Sequence, residues 1–150
     1  MKEKLFESIF IDFEVDGKKI VFGTIYRSPN CCHDDFLVNL SNVLSEGTKL
    51  SPRLIISGDF NYDLLNSENT NVNMFTDTFF EFGLYPLINI PTRITDTTAK
   101  VLDHVWTNIL DRPIRTAVLC NPISDHLPTF VNIAVNKAEK KRNYKKEEFF

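Results

Sequence analysis

The 150-residue sequence contains no long hydrophobic run and only three cysteines. No segment approaches the roughly 20 apolar residues that a membrane-spanning helix needs. The amino-terminal stretch loses its apolar character at Glu7 and Ser8, so it lacks the continuous apolar region of a signal peptide. The cysteines are the adjacent pair Cys31 and Cys32 plus a distant Cys120, and this spacing matches neither a zinc site nor a secreted disulfide framework. These absences favour an intracellular protein in a reducing compartment, without a membrane partner.

Charge is distributed unevenly along the chain. The formal net charge is −3, yet residues 137–150 hold six basic residues against three acids, which leaves 11 basic and 17 acidic residues in the rest. We therefore predict one domain over residues 1–136 and a basic linker or tail over residues 137–150. The tail is more typical of a solvated linker than of a contact with nucleic acid. An acidic body repels nucleic acid in general, but carboxylates gathered in one cleft would hold a divalent cation that attracts phosphate.

The first two strands are predicted from an alternating pattern and a turn signal. Apolar residues recur at every second position, which is the period of a half-buried strand: Ile9, Ile11, Phe13 and Val15. The dipeptide Asp16-Gly17 is typical of a tight hairpin turn. The segment "KKIVFGTIY", residues 18–26, then supplies the returning strand.

Two helices are predicted from apolar residues spaced three and four apart. The first is indicated by Phe36, Leu37, Leu40, Val43 and Leu44, and the second by Val72, Phe75, Phe79 and Phe82. We expect Gly47 to end the first helix and Gly83 to end the second.

The remaining apolar runs are too short for helices. "RLIIS", residues 53–57, is apolar on successive positions, which predicts a central strand covered on both faces. Three further strands are predicted over residues 101–106, 114–119 and 129–135. The alternation of strands with helices indicates an α/β fold.

Polar residues with catalytic potential follow the predicted strands. Asp59 comes after "LIIS", Asp103 lies within "VLDHVW", and Asp125 with His126 precedes the last strand. Because the carboxyl ends of central strands face the ligand crevice in open α/β sheets, we expect these side chains to converge there. An aspartate can move a proton, a histidine can stabilise negative charge, and Asn61 can donate to a phosphate oxygen. This set suits phosphodiester hydrolysis.

Each of these motifs also has a purely structural interpretation. "GDFN" could be an Asx turn after a strand, and "SDH" could be a turn that caps its own backbone. Asp103 and His104 could be a structural pair on a strand. Tyr26 could be a residue at the edge of the core with its hydroxyl in water.

The order of five sequence blocks resembles that of a known family. The blocks are "GTIYRSPN", "IISGDFNYDLL", "GLYPLINIPTRIT", "LDHVWTN" and "ISDHLPTF". They are similar to the endonuclease domain of jockey-like non-LTR retrotransposons, which belongs to the endonuclease/exonuclease/phosphatase superfamily. The resemblance extends from about Glu7 to Val135. It implies the C-terminal half of a two-sheet α/β sandwich.

The resemblance implies a role for each candidate residue in the reaction. Asp59 would transfer a proton or orient the attacking water, and Asn61 would bind the scissile phosphate. His126 would stabilise the charge of the transition state while Asp103 holds its ring, which requires the two within hydrogen-bonding reach. Tyr26 would contact phosphate near the leaving group.

The resemblance also implies a metal and a DNA contact. Asp125 would lie at or near a Mg²⁺ site, which Mn²⁺ could also occupy. The residues expected to touch DNA are Thr92, Arg93 and Thr98. The end of the sequence resembles the start of a linker towards a reverse transcriptase domain, which would be a partner in a full-length element.

One departure from the family concerns its metal-binding glutamate, which comes from a first half that this sequence does not show. Glu14 fits the polar side of a strand, and no substitute ligand is evident. We therefore expect this chain alone to be weak or inactive as a nuclease. An uncovered apolar sheet face would also favour self-association.

Three functions follow from these observations. The first is a Mg²⁺-dependent DNA-nicking endonuclease domain of a non-LTR retrotransposon, nuclear when it acts on DNA. The second is a catalytically dead remnant that acts at most as a binding segment. The third is a phosphatase of the same superfamily, acting on a phosphorylated lipid or sugar.

Overall fold

The computed structural model describes residues 6–120 and 124–135, so the predicted tail over residues 137–150 lies outside the described part. Its helices are α1 (His33–Leu50) and α2 (Thr70–Glu81). Its strands are β1 (Phe6–Val15), β2 (Lys18–Arg27), β3 (Leu54–Asp59), β4 (Tyr85–Pro86), β5 (Arg93–Ile94), β6 (Ala99–Lys100), β7 (Asp103–Thr107), β8 (Ile114–Val118) and β9 (Thr129–Ile133). This mixed α/β architecture confirms the predicted fold class.

A five-stranded mixed sheet with the order β1-β2-β3-β7-β4 organises the molecule. β2 and β3 are parallel, and α1 connects them; the other neighbouring pairs are antiparallel. Two smaller antiparallel pairs, β5-β6 and β8-β9, lie outside this sheet. β7 is antiparallel to β3. The side of the sheet at which β2 and β3 end, at Arg27 and Asp59, is therefore also the side at which β7 begins, at Asp103. We call it the site edge.

The central strand β3 is covered on both faces, as predicted. Leu54, Ile55 and Ile56 are fully buried. Leu54 and Ile56 pack against the two helices, and Ile55 packs into a second cluster that includes Val105 and the β8-β9 pair. Burial of three successive apolar side chains contributes about 1.5–3 kcal/mol for each, which anchors the strand.

The first helix is longer than predicted. The sequence placed its end at Gly47, but α1 continues to Leu50 and ends at Ser51, whose backbone N–H donates to the carbonyl of Gly47. Gly47 is buried, and a Cβ at this position would lie 3.4 Å from the side chain of Leu54. The glycine therefore allows close packing against β3 and does not terminate the helix.

The second helix ends where predicted, before Gly83, but it begins at Thr70, inside the polar segment over residues 66–73 that was expected to precede it. The Asn69 side chain accepts hydrogen bonds from the backbone N–H groups of Asn71 and Val72, which is a standard N-cap. Gly83 has φ of +67°, the left-handed conformation that follows many helices. No helix in the described part of the chain is long and apolar enough to cross a membrane.

Strand β1 forms as predicted, and Asp16 and Gly17 both have positive φ in the hairpin turn. The burial of β1 differs from the half-buried pattern that the sequence predicts. Ile9 and Ile11 are 67% and 57% exposed, whereas Phe10 between them is partly buried and packs against the core on the side of the helices. β1 is the outer strand of the sheet, and the described residues do not extend over that part of its face. The alternating pattern predicted the strand correctly, but not that the face carrying Ile9 and Ile11 would be exposed.

Candidate functional site

Two aspartates meet at the site edge. Asp59 is the last residue of β3, and Asp103 is the first residue of β7 and its direct partner in the antiparallel register. The sequence predicts Asp103 at the carboxyl end of a strand, and this prediction is wrong, because Asp103 lies at the amino end of β7. Since β7 is antiparallel to β3, its amino end lies beside the carboxyl end of β3, and the two carboxylates meet there.

His126 completes this group. Its Nδ1 lies 2.9 Å from Oδ2 of Asp103, which confirms the predicted pairing. The segment around His126 is held against β5, because Leu127 N–H donates to the carbonyl of Thr92 at 2.6 Å and Ile94 N–H donates to that of Asp125 at 2.9 Å. Backbone pairing, not the side chain alone, therefore places the imidazole.

Asp59, Asp103 and His126 each offer one ligand atom, and these atoms lie within 4.8 Å of one another. Two carboxylates are typical ligands of Mg²⁺, and carboxylates with an imidazole also suit Mn²⁺. The donor set therefore fits a divalent cation. Asp59 and Asp103 would supply its oxygen ligands while the imidazole stays engaged with Asp103.

The environment of Asp59 disfavours its charge. Burial raises the pKa of Asp59, and the negative charge of Asp103 raises it further; the Asn61 backbone N–H and the His126 imidazole oppose this. A carboxyl group with a raised pKa can hold or accept a proton nearer to neutral pH, as a general acid or base must. A cation between the two carboxylates would relieve the same repulsion.

Asn61 is fixed by the turn after β3. Its backbone N–H donates to Asp59 Oδ1 at 3.1 Å, so the Asx-turn interpretation of "GDFN" holds alongside the catalytic one. Its φ is +52°, a left-handed conformation that asparagine tolerates better than most residues. Its amide Nδ2 donates to the carbonyl of Arg27 at 2.8 Å. The side chain is therefore held at the site edge.

Tyr26 lies on the neighbouring strand and shares a face with Asp59. In the parallel register Thr24 pairs with Ser57, and Tyr26 and Asp59 each follow two residues later. The tyrosine is 48% exposed. About half of this residue is therefore open to solvent.

Asp125 does not join the group of two aspartates and histidine. Its Oδ2 accepts a hydrogen bond from Nε of Arg93 at 2.7 Å, and this ion pair lowers the pKa of Asp125. In this structure an arginine pairs with the Asp125 carboxylate, and the metal contact expected of Asp125 stays a prediction. Asp59 and Asp103 are the carboxylates that lie together with His126.

The predicted DNA-contacting residues fall on the β5-β6 hairpin and just before it. Thr98 is exposed at the hairpin tip, where its hydroxyl lies 2.8 Å from that of Thr95, and Arg93 is partly exposed. Thr92 is fully buried, so the expected contact between its side chain and DNA is wrong. Its Oγ1 accepts the backbone N–H groups of Leu102 and Asp103, at 3.0 and 2.9 Å. Thr92 therefore positions the start of β7.

Gly58 is a site-building residue that the sequence interpretation missed. Its φ is +150°, and a Cβ would lie 1.8 Å from the carbonyl oxygen of Ile25 on the neighbouring strand. This close approach of β2 and β3 is possible only without a side chain. The signal in the sequence was a glycine at the end of a buried strand, directly before an acid.

The fold and this site together define the endonuclease/exonuclease/phosphatase class of α/β proteins. Within it, a family model described as "Endonuclease-reverse transcriptase" matches residues 20–130, and the chain belongs to that family. The comparison with curated proteins finds no match.

Solved structures support the fold assignment. The endonuclease domain of TRAS1, a telomere-specific non-LTR retrotransposon, superposes with a TM-score of 0.71 at 22% identity, over 85% of this chain and 62% of that one. An endonuclease/exonuclease/phosphatase family protein from Leptotrichia buccalis gives 0.61 at 23% identity, over 86% and 53%. The 3′ phosphatase NExo from Neisseria, bound to a product DNA hairpin, gives 0.57 at 14% identity, over 83% and 64%. The chain thus spans less than two thirds of the length of each.

Proposed function

We propose that this chain is part of a metal-dependent DNA-nicking endonuclease of a non-LTR retrotransposon. The observation that carries the proposal is the convergence of Asp59, Asp103 and His126 within 4.8 Å at the site edge. The family match and the likeness to the TRAS1 domain make phosphodiester hydrolysis the reaction that such a group would serve. A divalent cation would stabilise the developing charge on the phosphate.

The side chains of this chain would divide the remaining work. Asp59 would orient the attacking water and take its proton. His126, held by Asp103 through a 2.9 Å hydrogen bond, would donate to the non-bridging phosphate oxygens. Asn61 would bind the same phosphate, and Tyr26 would contact it from the neighbouring strand.

Around this centre, Arg93 and Thr98 would contact the DNA backbone. The natural site of action would be the nucleus, and the family description supports a reverse transcriptase domain as the functional partner. Since the chain spans 62% of the TRAS1 domain, we expect weak nicking from it alone. Misplacing a catalytic group by about 1 Å costs on the order of a hundredfold in rate.

The test is conversion of supercoiled plasmid to open circles in the presence of Mg²⁺ or Mn²⁺. Two proteins are compared: this chain, and a fusion that adds the part of the TRAS1 domain that it does not cover. We expect slow nicking by the first, faster nicking by the second, and loss of both with EDTA or with Asp59→Asn. A fusion that binds DNA but nicks no faster than its Asp59→Asn variant would favour a catalytically dead binding segment. Release of phosphate from a 3′-phosphorylated oligonucleotide without nicking would favour a phosphatase.

Self-association is a further part of the proposal, because Ile9 and Ile11 expose apolar surface on the outer strand of the sheet. Sedimentation velocity should show concentration-dependent association of the wild-type chain and a shift towards monomer for Ile11→Lys. A monomeric wild type at all concentrations would contradict it.

A further inference from the structure

A polar cavity of about 450 Å³ lies beside Asn61. Its walls come from the end of β2, the loop after β3, the first turn of α2 and the β5-β6 hairpin. Three basic residues line it, Arg27, Arg93 and Lys100, against one acid, Asp63. The Asp63 Oδ1 already accepts the backbone N–H groups of residues 65 and 101. The cavity therefore has a net positive lining.

Arg27 is the most informative wall residue, because it is a buried cation. The residue is 6% exposed, and its guanidinium lies 4.2 Å from the ring centre of Tyr62. It donates to the carbonyls of Cys31 and Phe60, but its Nε has no hydrogen-bond partner. In the described part of the chain no carboxylate forms an ion pair with it. A buried charge without a counter-ion is costly, and an anion in the adjoining cavity would offset that cost.

Lys100 and Arg93 face each other across the β5-β6 pair. Like charges directly opposite on neighbouring strands destabilise a sheet. Asp125 pairs with Arg93, whereas Lys100 forms no ion pair with any described residue. This arrangement lowers the stability of a two-residue strand pair and is explained if Lys100 faces an anionic ligand.

The first turn of α2, which forms another wall of the cavity, adds to its positive electrostatic potential. The amino-terminal end of a helix carries partial positive charge, and α2 has no acidic residue in its first turn. Asn69 and Asn71 from this end line the cavity together with Asn61. Their amide groups can donate to the oxygens of a phosphate, while the cations supply the attraction.

We propose that this cavity binds a backbone phosphate of a DNA strand, next to the phosphate held at Asn61. Asn61 lies between the two positions, so one strand could pass from the site edge into the cavity. The inference rests on the proposed function for the identity of the ligand as DNA. It assigns Lys100 and the start of α2 to substrate binding and not to the chemistry.

The test measures binding without cleavage. A short fluorescent single-stranded oligonucleotide is titrated with the chain in EDTA, over a series of salt concentrations, and anisotropy gives the affinity. The variant Lys100→Met keeps the apolar stem and removes the charge. The matched control is Lys49→Met in the last turn of α1, which pairs with Glu46. Because α1 leads from the end of β2 to the start of the parallel β3, Lys49 lies at the opposite edge of the sheet.

We expect Lys100→Met to bind the oligonucleotide about 3- to 10-fold more weakly at low salt. Its slope of log affinity against log salt should be smaller by about 0.7, the value for one phosphate contact on a single strand. Lys49→Met should match the wild type in both. Equal slopes for Lys100→Met and the wild type, or no binding by the wild type at low salt, would overturn the proposal.

A second measurement distinguishes the source of the phosphate. The backbone amides of Asn71 and Val72 are followed by NMR during titration with the dinucleotide TpT or with inorganic phosphate. Shifts with TpT that are lost in Lys100→Met support the proposal; shifts with inorganic phosphate only would overturn the assignment to a DNA strand. Neither measurement involves nicking, so a protein that binds in this way but never nicks would contradict the proposed function alone.

Discussion

Asp59 and Asp103 lie directly opposite each other across the antiparallel pair of β3 and β7, with ligand atoms within 4.8 Å of each other and of His126. The pair places two carboxyl groups close together in a partly buried site. Burial is the main cause of the raised pKa of Asp59, and the charge of Asp103 adds to it. The charged form of Asp59 is therefore disfavoured in the folded protein without a bound cation.

Replacing Asp59 by asparagine should stabilise the fold at neutral pH. The folded-state pKa of Asp59 lies above its unfolded value, so its favourable contribution is present at low pH and is lost as pH rises through the folded pKa. We expect a higher Tm for Asp59→Asn than for the wild type at pH 7 in EDTA, and no increase at about pH 3, where the carboxyl is protonated in both states.

The matched control for this prediction is Asp111→Asn. Hydrogen bonds from Arg53 and Lys18 lower the pKa of Asp111, so its contribution to stability is present above the unfolded pKa. Its loss should lower Tm at pH 7, which is the opposite sign. A lower Tm for Asp59→Asn at pH 7 would show that the charged carboxylate of Asp59 does not destabilise the folded state.

Asp103 and His126 should act as one unit in nicking. We expect Asp103→Asn and His126→Gln each to reduce the rate of the fused, active protein by about a hundredfold or more. The double variant should be little worse than either single one, because each change already disrupts the 2.9 Å pair. If the fold-losses in nicking rate of the two single variants multiply in the double variant, Asp103 and His126 act independently. Asp77→Asn, at an exposed position on α2, should leave the rate unchanged.

Thr92 should prove to be a structural support of the site. Thr92→Val keeps the shape of the side chain but removes the acceptor for the N–H groups of Leu102 and Asp103. Leaving these buried groups unpaired should cost about 1–3 kcal/mol in the free energy of unfolding by urea. Thr92→Ser retains the hydroxyl and should lose much less. Equal losses for valine and serine would show that the methyl group, and not the hydroxyl, is what matters.

His104 should make the fold sensitive to acid. Burial lowers the pKa of His104 to about 4, and its Nε2 donates to the carbonyls of Tyr62 and Val101. An unfolded histidine titrates near 6.5, so stability should fall as pH drops from about 6.5 to 4. In His104→Gln this part of the pH dependence should disappear, whatever its stability at pH 8. A variant with the same slope of stability against pH as the wild type would exclude this histidine as the cause.

The elements of the fold were largely predictable from the sequence. Strands β2 and β3, the β1-β2 turn and both helices follow from patterns of apolar residues and from Asp16-Gly17, because these signals are local. The end of α1 was not predictable, since the close approach of Gly47 to Leu54 depends on the packing of the helix against the sheet.

Among the site residues, the sequence by itself determined the chemistry: an acid at the end of β3, an asparagine in the following turn and a histidine before β9. Only the tertiary structure decided which of them meet. The antiparallel register of β7 places Asp103 opposite Asp59 and close to His126. Asp125 lies outside that group and forms an ion pair with Arg93. Thr92 is buried, and its hydroxyl accepts a hydrogen bond from the backbone at the start of β7. The physical reason is that residue types and short-range spacing are encoded locally, whereas strand direction, register and burial depend on which distant segments pack side by side.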